Sequence, residues 1–162
     1  MAHTVFIVLH ALSGAACFGF GLLALRRATT RRRQALAFYF AALLAMVSFV
    51  AVAVALTWGG LGTATRLIYA GLGVLAAVMV GRAVAAWRGA EQPSAAFVGH
   101  VGFTLVSLFD AFVIVSALDL GAPAWLVVVG AVVGAVTGHL LIRRRQRDMG
   151  ETAPAHAAER LR

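Results

Sequence analysis

The sequence predicts an all-α integral membrane bundle of five transmembrane helices, and three observations lead to that fold class. Hydrophobic residues make up 62% of the chain and charged residues only 12%, against roughly 45–50% and 25% in a soluble domain. Five apolar runs are each long enough to cross a bilayer, which takes ~20 helical residues. None of these runs alternates polar and apolar residues as a membrane β-strand does, so helices are expected.

The five predicted spans are joined by short connections that could not hold a separate domain. The first, second and fifth spans contain no charged residue, whereas the third contains Arg82 and the fourth contains Asp110. The sequence therefore predicts one transmembrane domain over residues 1–142, followed by a basic cytoplasmic tail at 143–162 that is helical at first and then disordered. The spans cover about residues 4–25, 35–58, 67–87, 95–118 and 122–142.

The distribution of arginine predicts the orientation of these spans. If five helices are threaded in order, 13 of the 14 arginines fall on one side of the membrane, and Arg66 falls on the other. Because positively charged loops stay in the cytoplasm, the N-terminus is expected outside and the C-terminus in the cytoplasm. We then expect the net charge of +8 to be attracted to the anionic headgroups of the bilayer. We expect no nucleic-acid partner.

The first span carries a small and polar face. His10, Ser13, Gly14 and Cys17 fall within one sector, because successive residues lie 100° apart around a helix. Small residues let helices approach closely, so this face either packs against another helix or lines a cavity or a cofactor.

A polar stripe runs along the fourth span, and Asp110 is its most informative member. An isolated carboxylate deep in the bilayer costs ~3 kcal/mol on insertion scales, so Asp110 must be protonated, paired or hydrated, and we expect it to face the bundle interior. His10 lies at a similar depth and is the first candidate partner, with Arg66 as the second. The stripe consists of His100, Thr104, Ser107 and Asp110.

Two further histidines lie at similar depth near the cytoplasmic side, His100 on the fourth span and His139 on the fifth. A pair of imidazoles on neighbouring helices can supply the axial ligands of a b-type haem. His139 shares its face with apolar residues, so the alternative is a side chain that reaches the headgroup region.

The fifth span carries glycine at every fourth position, at Gly130, Gly134 and Gly138. Overlapping GxxxG steps of this kind are typical of closely packed membrane helices. The motif predicts helix packing, either within the bundle or against a second copy of the chain or another membrane protein.

The sequence contains no HExxH or HxxxH metal motif, no nucleophile elbow, no phosphate loop and no dinucleotide fingerprint. These absences favour a protein that is not an enzyme. Arginine without lysine, beside abundant alanine, valine and glycine, indicates GC-rich coding. We therefore expect a multi-pass protein of a bacterial inner (plasma) membrane.

Three features stand together in the first third of the chain: Leu9-His10-Ala11-Leu12-Ser13-Gly14 in the first span, the basic connection after it, and Phe38-Tyr39-Phe40 at the start of the second span. With these features, this part of the chain resembles bacterial polytopic inner-membrane protein families of unknown function. The resemblance implies an integral inner-membrane protein with an early histidine in its first helix, and it implies no activity.

Three functional hypotheses follow from these residues. The first is a haem- or metal-binding, redox-associated membrane protein that uses His100 and His139. The second is a small proton-linked carrier or relay centred on His10 and Asp110. The third is a structural subunit of a membrane complex, held through the glycine and arginine surfaces.

Overall fold

The computed structural model describes residues 2–26, 29–90 and 94–159. Within these ranges the chain is helical and forms no strand, so the all-α prediction is confirmed. A single turn of 3-10 helix, Trp58–Gly60, lies between the second and third α-helices. The α-helices are α1 (Ala2–Arg26), α2 (Thr29–Thr57), α3 (Thr63–Arg88), α4 (Ala95–Asp119) and α5 (Ala124–Glu159).

In the described part of the chain, four helices are long and apolar enough to cross a membrane, with mean hydropathy between 1.8 and 2.5. At most 28% of any of these stretches is buried within the chain itself, so most of their apolar surface needs a non-aqueous environment. The chain is therefore suited to a multi-pass membrane protein. The stretches are Thr4–Arg26, Arg31–Gly60, Arg66–Arg88 and Ala95–Ile114.

The predicted fifth span lies in the α4–α5 turn and the first half of α5. It is not among the four stretches found in the described residues, so a fifth crossing stays a prediction. The helix continues past Ile142 to Glu159. Most of the predicted tail is thus a helical continuation of α5.

The chain divides into two compact units, Met1–Val84 and Ala85–Arg162, and the boundary falls within α3. In the first unit α1 packs along α2. Phe6 lies 6.3 Å from Phe49 and Phe20 lies 5.1 Å from Phe38, measured between ring centroids. The residue numbers rise along α1 while those of the contacting residues on α2 fall, so the two helices are antiparallel.

In the second unit α4 packs against α5 as an antiparallel hairpin. Ser94 caps α4, because its Oγ accepts a hydrogen bond of 3.1 Å from the backbone N–H of Phe97. The helix ends in a tight turn at Gly121, whose φ of 77° suits a residue without a Cβ. The Ala122 N–H then donates to the Ala117 carbonyl at 2.9 Å, a helix-ending bond that returns the chain toward α5.

Candidate intramembrane polar site

Asp110 lies on α4 with its carboxylate against α5. A Cβ built at Gly134 would collide with Oδ1 of Asp110, so glycine at this position leaves the space that the carboxylate fills. The Asp110 side chain is partly exposed, and within the described residues it forms no ion pair. It lies nine residues, or ~14 Å, before the end of α4. The carboxylate is thus held between two helices with one side open.

The residues of α4 that face α5 recur at helical spacing and define the register of the hairpin. A Cβ at Gly138 would lie 2.5 Å from Cγ2 of Val106, and a Cβ at Gly102 would lie 2.9 Å from Cγ1 of Ile142. Close approach of the backbones therefore depends on small residues from both helices. Each step of four residues along α4 is matched by a step of four in the opposite direction along α5.

The three glycines of the GxxxG motif have different surroundings. Gly134 and Gly138 lie in the α4–α5 contact, whereas a Cβ at Gly130 would meet no atom within 4 Å. Only the second GxxxG step therefore brings α5 close to α4. Gly130 leaves an open notch on the surface of its helix.

The other members of the predicted polar stripe, Ser107, Thr104 and His100, lie closer to the N-terminus of α4 than Asp110 does. Thr104 is fully buried, and its hydroxyl donates to the His100 carbonyl at 3.4 Å, which satisfies the hydroxyl within the helix. Ser107 is partly buried. His100 has a buried Nδ1 with no hydrogen-bond partner in the described part of the chain. The stripe thus joins a carboxylate at one end to an imidazole at the other.

The two histidines proposed for haem are offset along the hairpin. The contact between Gly138 and Val106 places His139 level with about residue 105, five residues or ~8 Å from His100 along α4. The His139 side chain is exposed, on the same outward face as Val128 and Val132, which are also exposed. Haem ligation stays a prediction, and the register offers it less support than a level pair would.

The first unit contains His10 on the α1–α2 contact. Its Nδ1 lies 3.0 Å from the Met46 carbonyl oxygen, so Nδ1 carries the proton and donates, and Nε2 is the acceptor in the neutral ring. One turn further, a Cβ at Gly14 would lie 3.4 Å from Sδ of Met46. Ser13 is partly buried and Cys17 fully buried. The small and polar face of α1 is thus, in part, a packing face against α2.

The pairing of His10 with Asp110 stays a prediction, because the two residues belong to different units.

Two residues of the hydrogen-bond network were not predicted from the sequence. Met46 could not be recognised, since a backbone carbonyl acceptor has no residue-type signature. Gln146 also went unrecognised, although it is the one uncharged polar residue among the arginines that follow Ile142. Its amide donates to the Ala95 carbonyl at 2.7 Å.

The described residues offer few side chains that could together bind a metal ion. Across that part of the chain, no group of three or more His, Cys, Asp or Glu side chains is placed to hold a metal ion. In the described residues, the contact of Asp110 with Gly134 places one protonatable group between α4 and α5.

The chain was compared with protein-family models, curated proteins and solved structures, and it matches none of them.

Proposed function

We propose that this chain is a multi-pass membrane protein in which Asp110 binds and releases a proton, as a relay or as the coupling group of a small proton-linked carrier. The observation that carries the proposal is the Asp110 carboxylate seated on Gly134. Four membrane-length apolar helices support the location. We further propose five spans in a bacterial inner membrane, with the N-terminus outside.

The chemistry follows from what a carboxyl group can do at low dielectric. Ionised, it accepts hydrogen bonds only, and protonated it can also donate one. Its charge is costly within a bilayer, and such groups often form part of proton pathways in pumps and transporters. The Asp110 side chain is partly exposed outside its contact with α5, and the proposal places water or a substrate on that open side to exchange the proton. Because the Asp110 carboxylate lies against Gly134, binding or release of the proton would also affect the contact between α4 and α5.

The stripe on α4 supplies a direction for proton movement. Ser107 lies three residues from Asp110 and Thr104 lies three further, so the hydroxyls turn by about 120° around α4 between the carboxyl and Thr104. The Thr104 hydroxyl donates to the His100 carbonyl, which leaves its oxygen free to accept a proton from water. His100 ends the stripe with a buried and unpartnered Nδ1 in the described structure. The distance from Asp110 to His100 is ten residues, or ~15 Å along the axis. Water bridging the gaps would complete a relay across half of a bilayer.

The first experiment measures proton movement in vesicles that contain the purified protein. A potassium gradient with valinomycin drives protons inward, and an internal dye reports pH. We expect proton uptake by the wild type and none above protein-free vesicles for Asp110→Asn. Asp119→Asn makes the same chemical change at the last residue of α4 and should retain uptake. Equal uptake by the wild type and Asp110→Asn would contradict the relay.

A carrier without its substrate passes no proton, so a second measurement addresses Asp110 directly. Hydrophobic carbodiimides react with protonated carboxyl groups in apolar surroundings, and peptide mass spectrometry locates the adduct. We expect labelling of Asp110 before any of the other five acidic residues. A protein that moves no protons and is not labelled at Asp110 would leave haem ligation and a structural subunit role as the alternatives.

A further inference from the structure

A shallow cavity, open to its surroundings, lies on α5 at the end of the α4–α5 hairpin opposite the interhelical turn. Arg143, Gln146 and Arg147 line it, and its volume is about 340 Å³. Arg143 and Arg147 are exposed and stand one helical turn apart, so their guanidinium groups share one side of α5. The lining therefore offers two positive charges and one amide.

Gln146, which lines this cavity, forms a hydrogen bond with the first turn of α4. Its Nε2 donates to the Ala95 carbonyl at 2.7 Å, and a Cβ at Gly99 would lie 2.6 Å from the same nitrogen. Ala95 is the first residue of the membrane-length stretch of α4. The cavity is therefore level with the start of that stretch, and, on the membrane location and five spans proposed above, it lies at the depth of lipid headgroups.

An apolar stripe leads along α5 to the two arginines. Its members are exposed and follow one another at spacings of four and three residues, which keeps them on the same side of the helix as Arg143 and Arg147. This side of α5 is thus apolar along the helix and cationic at the end. The stripe consists of Val129, Val133, Val136 and Leu140, which are 50%, 58%, 54% and 61% exposed.

We propose that Arg143, Gln146 and Arg147 bind the phosphate of an anionic phospholipid, whose acyl chains lie along the apolar stripe. Arginine binds phosphate oxygens through paired, charge-assisted hydrogen bonds. Clusters of basic residues at the cytoplasmic end of a membrane helix attract anionic lipid headgroups. A free phosphate ion would use the arginines but not the stripe, so the continuity of the two surfaces favours a lipid.

The test compares two double variants of the full-length protein in detergent. R143Q/R147Q removes the charges at the cavity, whereas R144Q/R145Q removes the same charge from neighbouring exposed positions of α5. The measured quantity is the dissociation constant of a fluorescent phosphatidylglycerol. We expect weakening of about tenfold or more for R143Q/R147Q, since each charge-assisted hydrogen bond contributes that much, and less than about threefold for R144Q/R145Q.

Two further probes separate the sources of phosphate. Phosphatidylcholine should bind more weakly than phosphatidylglycerol, and inorganic phosphate at the lipid's concentration should not displace it. Equal weakening in both double variants would show diffuse attraction and overturn the proposal, as would displacement by inorganic phosphate. Asp110→Asn should bind the lipid as the wild type does, so this test is independent of proton movement.

Discussion

Replacing Gly134 with alanine adds a methyl group at the position that the Asp110 carboxylate fills. Over-packing of this kind costs ~1–3 kcal/mol. Alanine returns about 1 kcal/mol of helix propensity relative to glycine. We therefore expect Gly134→Ala to lower the free energy of unfolding by about 0–2 kcal/mol, and to reduce proton uptake because the carboxylate must leave its seat.

Gly130→Ala is the matched control, since a Cβ at Gly130 meets no atom within 4 Å. It gains the same helix propensity without the collision, so the two variants should differ by about 1–3 kcal/mol. The assay is reversible unfolding of the purified protein in mixed micelles by a denaturing detergent. Equal stability of the two variants would refute the assigned contact between Gly134 and Asp110.

A double variant tests whether the carboxylate itself is the group in contact. In an Asp110→Ala background the space beside Gly134 is vacated, so Gly134→Ala should cost less than it does in the wild type. Residues in contact show interaction energies of ~0.5–3 kcal/mol in such cycles. Additive effects of the two substitutions would mean that the cost of Gly134→Ala arises elsewhere.

Two further predictions concern topology and haem. Reporter fusions after Gln34 and after Arg145 should both report the cytoplasm, and one after Gly62 the exterior; an exterior signal from the Arg145 fusion would contradict five spans. If His100 and His139 ligate haem b, the purified protein should show a Soret band that weakens on His100→Ala or His139→Ala. A protein that stays colourless after haem supplementation would exclude that ligation.

The all-helical architecture could be predicted from the sequence, because it depends on local properties. Apolar runs of membrane length leave the backbone with no partner except itself, so each run becomes a helix wherever it lies in the fold. Four of the five predicted spans correspond to membrane-length apolar helices. A helical start of the tail was predicted, but the continuation of α5 to Glu159 was not, since the polar residues around Pro154 resemble a disordered tail in composition.

The candidate site depended on tertiary structure, because the register between two helices is set by packing and has no local signature. Gly130, Gly134 and Gly138 are equivalent in the sequence motif, yet Gly134 alone receives the Asp110 carboxylate, and Gly130 faces open space. The same register offsets His139 from His100. Sequence spacing shows which residues share a face of one helix, whereas contact across helices depends on how closely small residues let the two backbones approach.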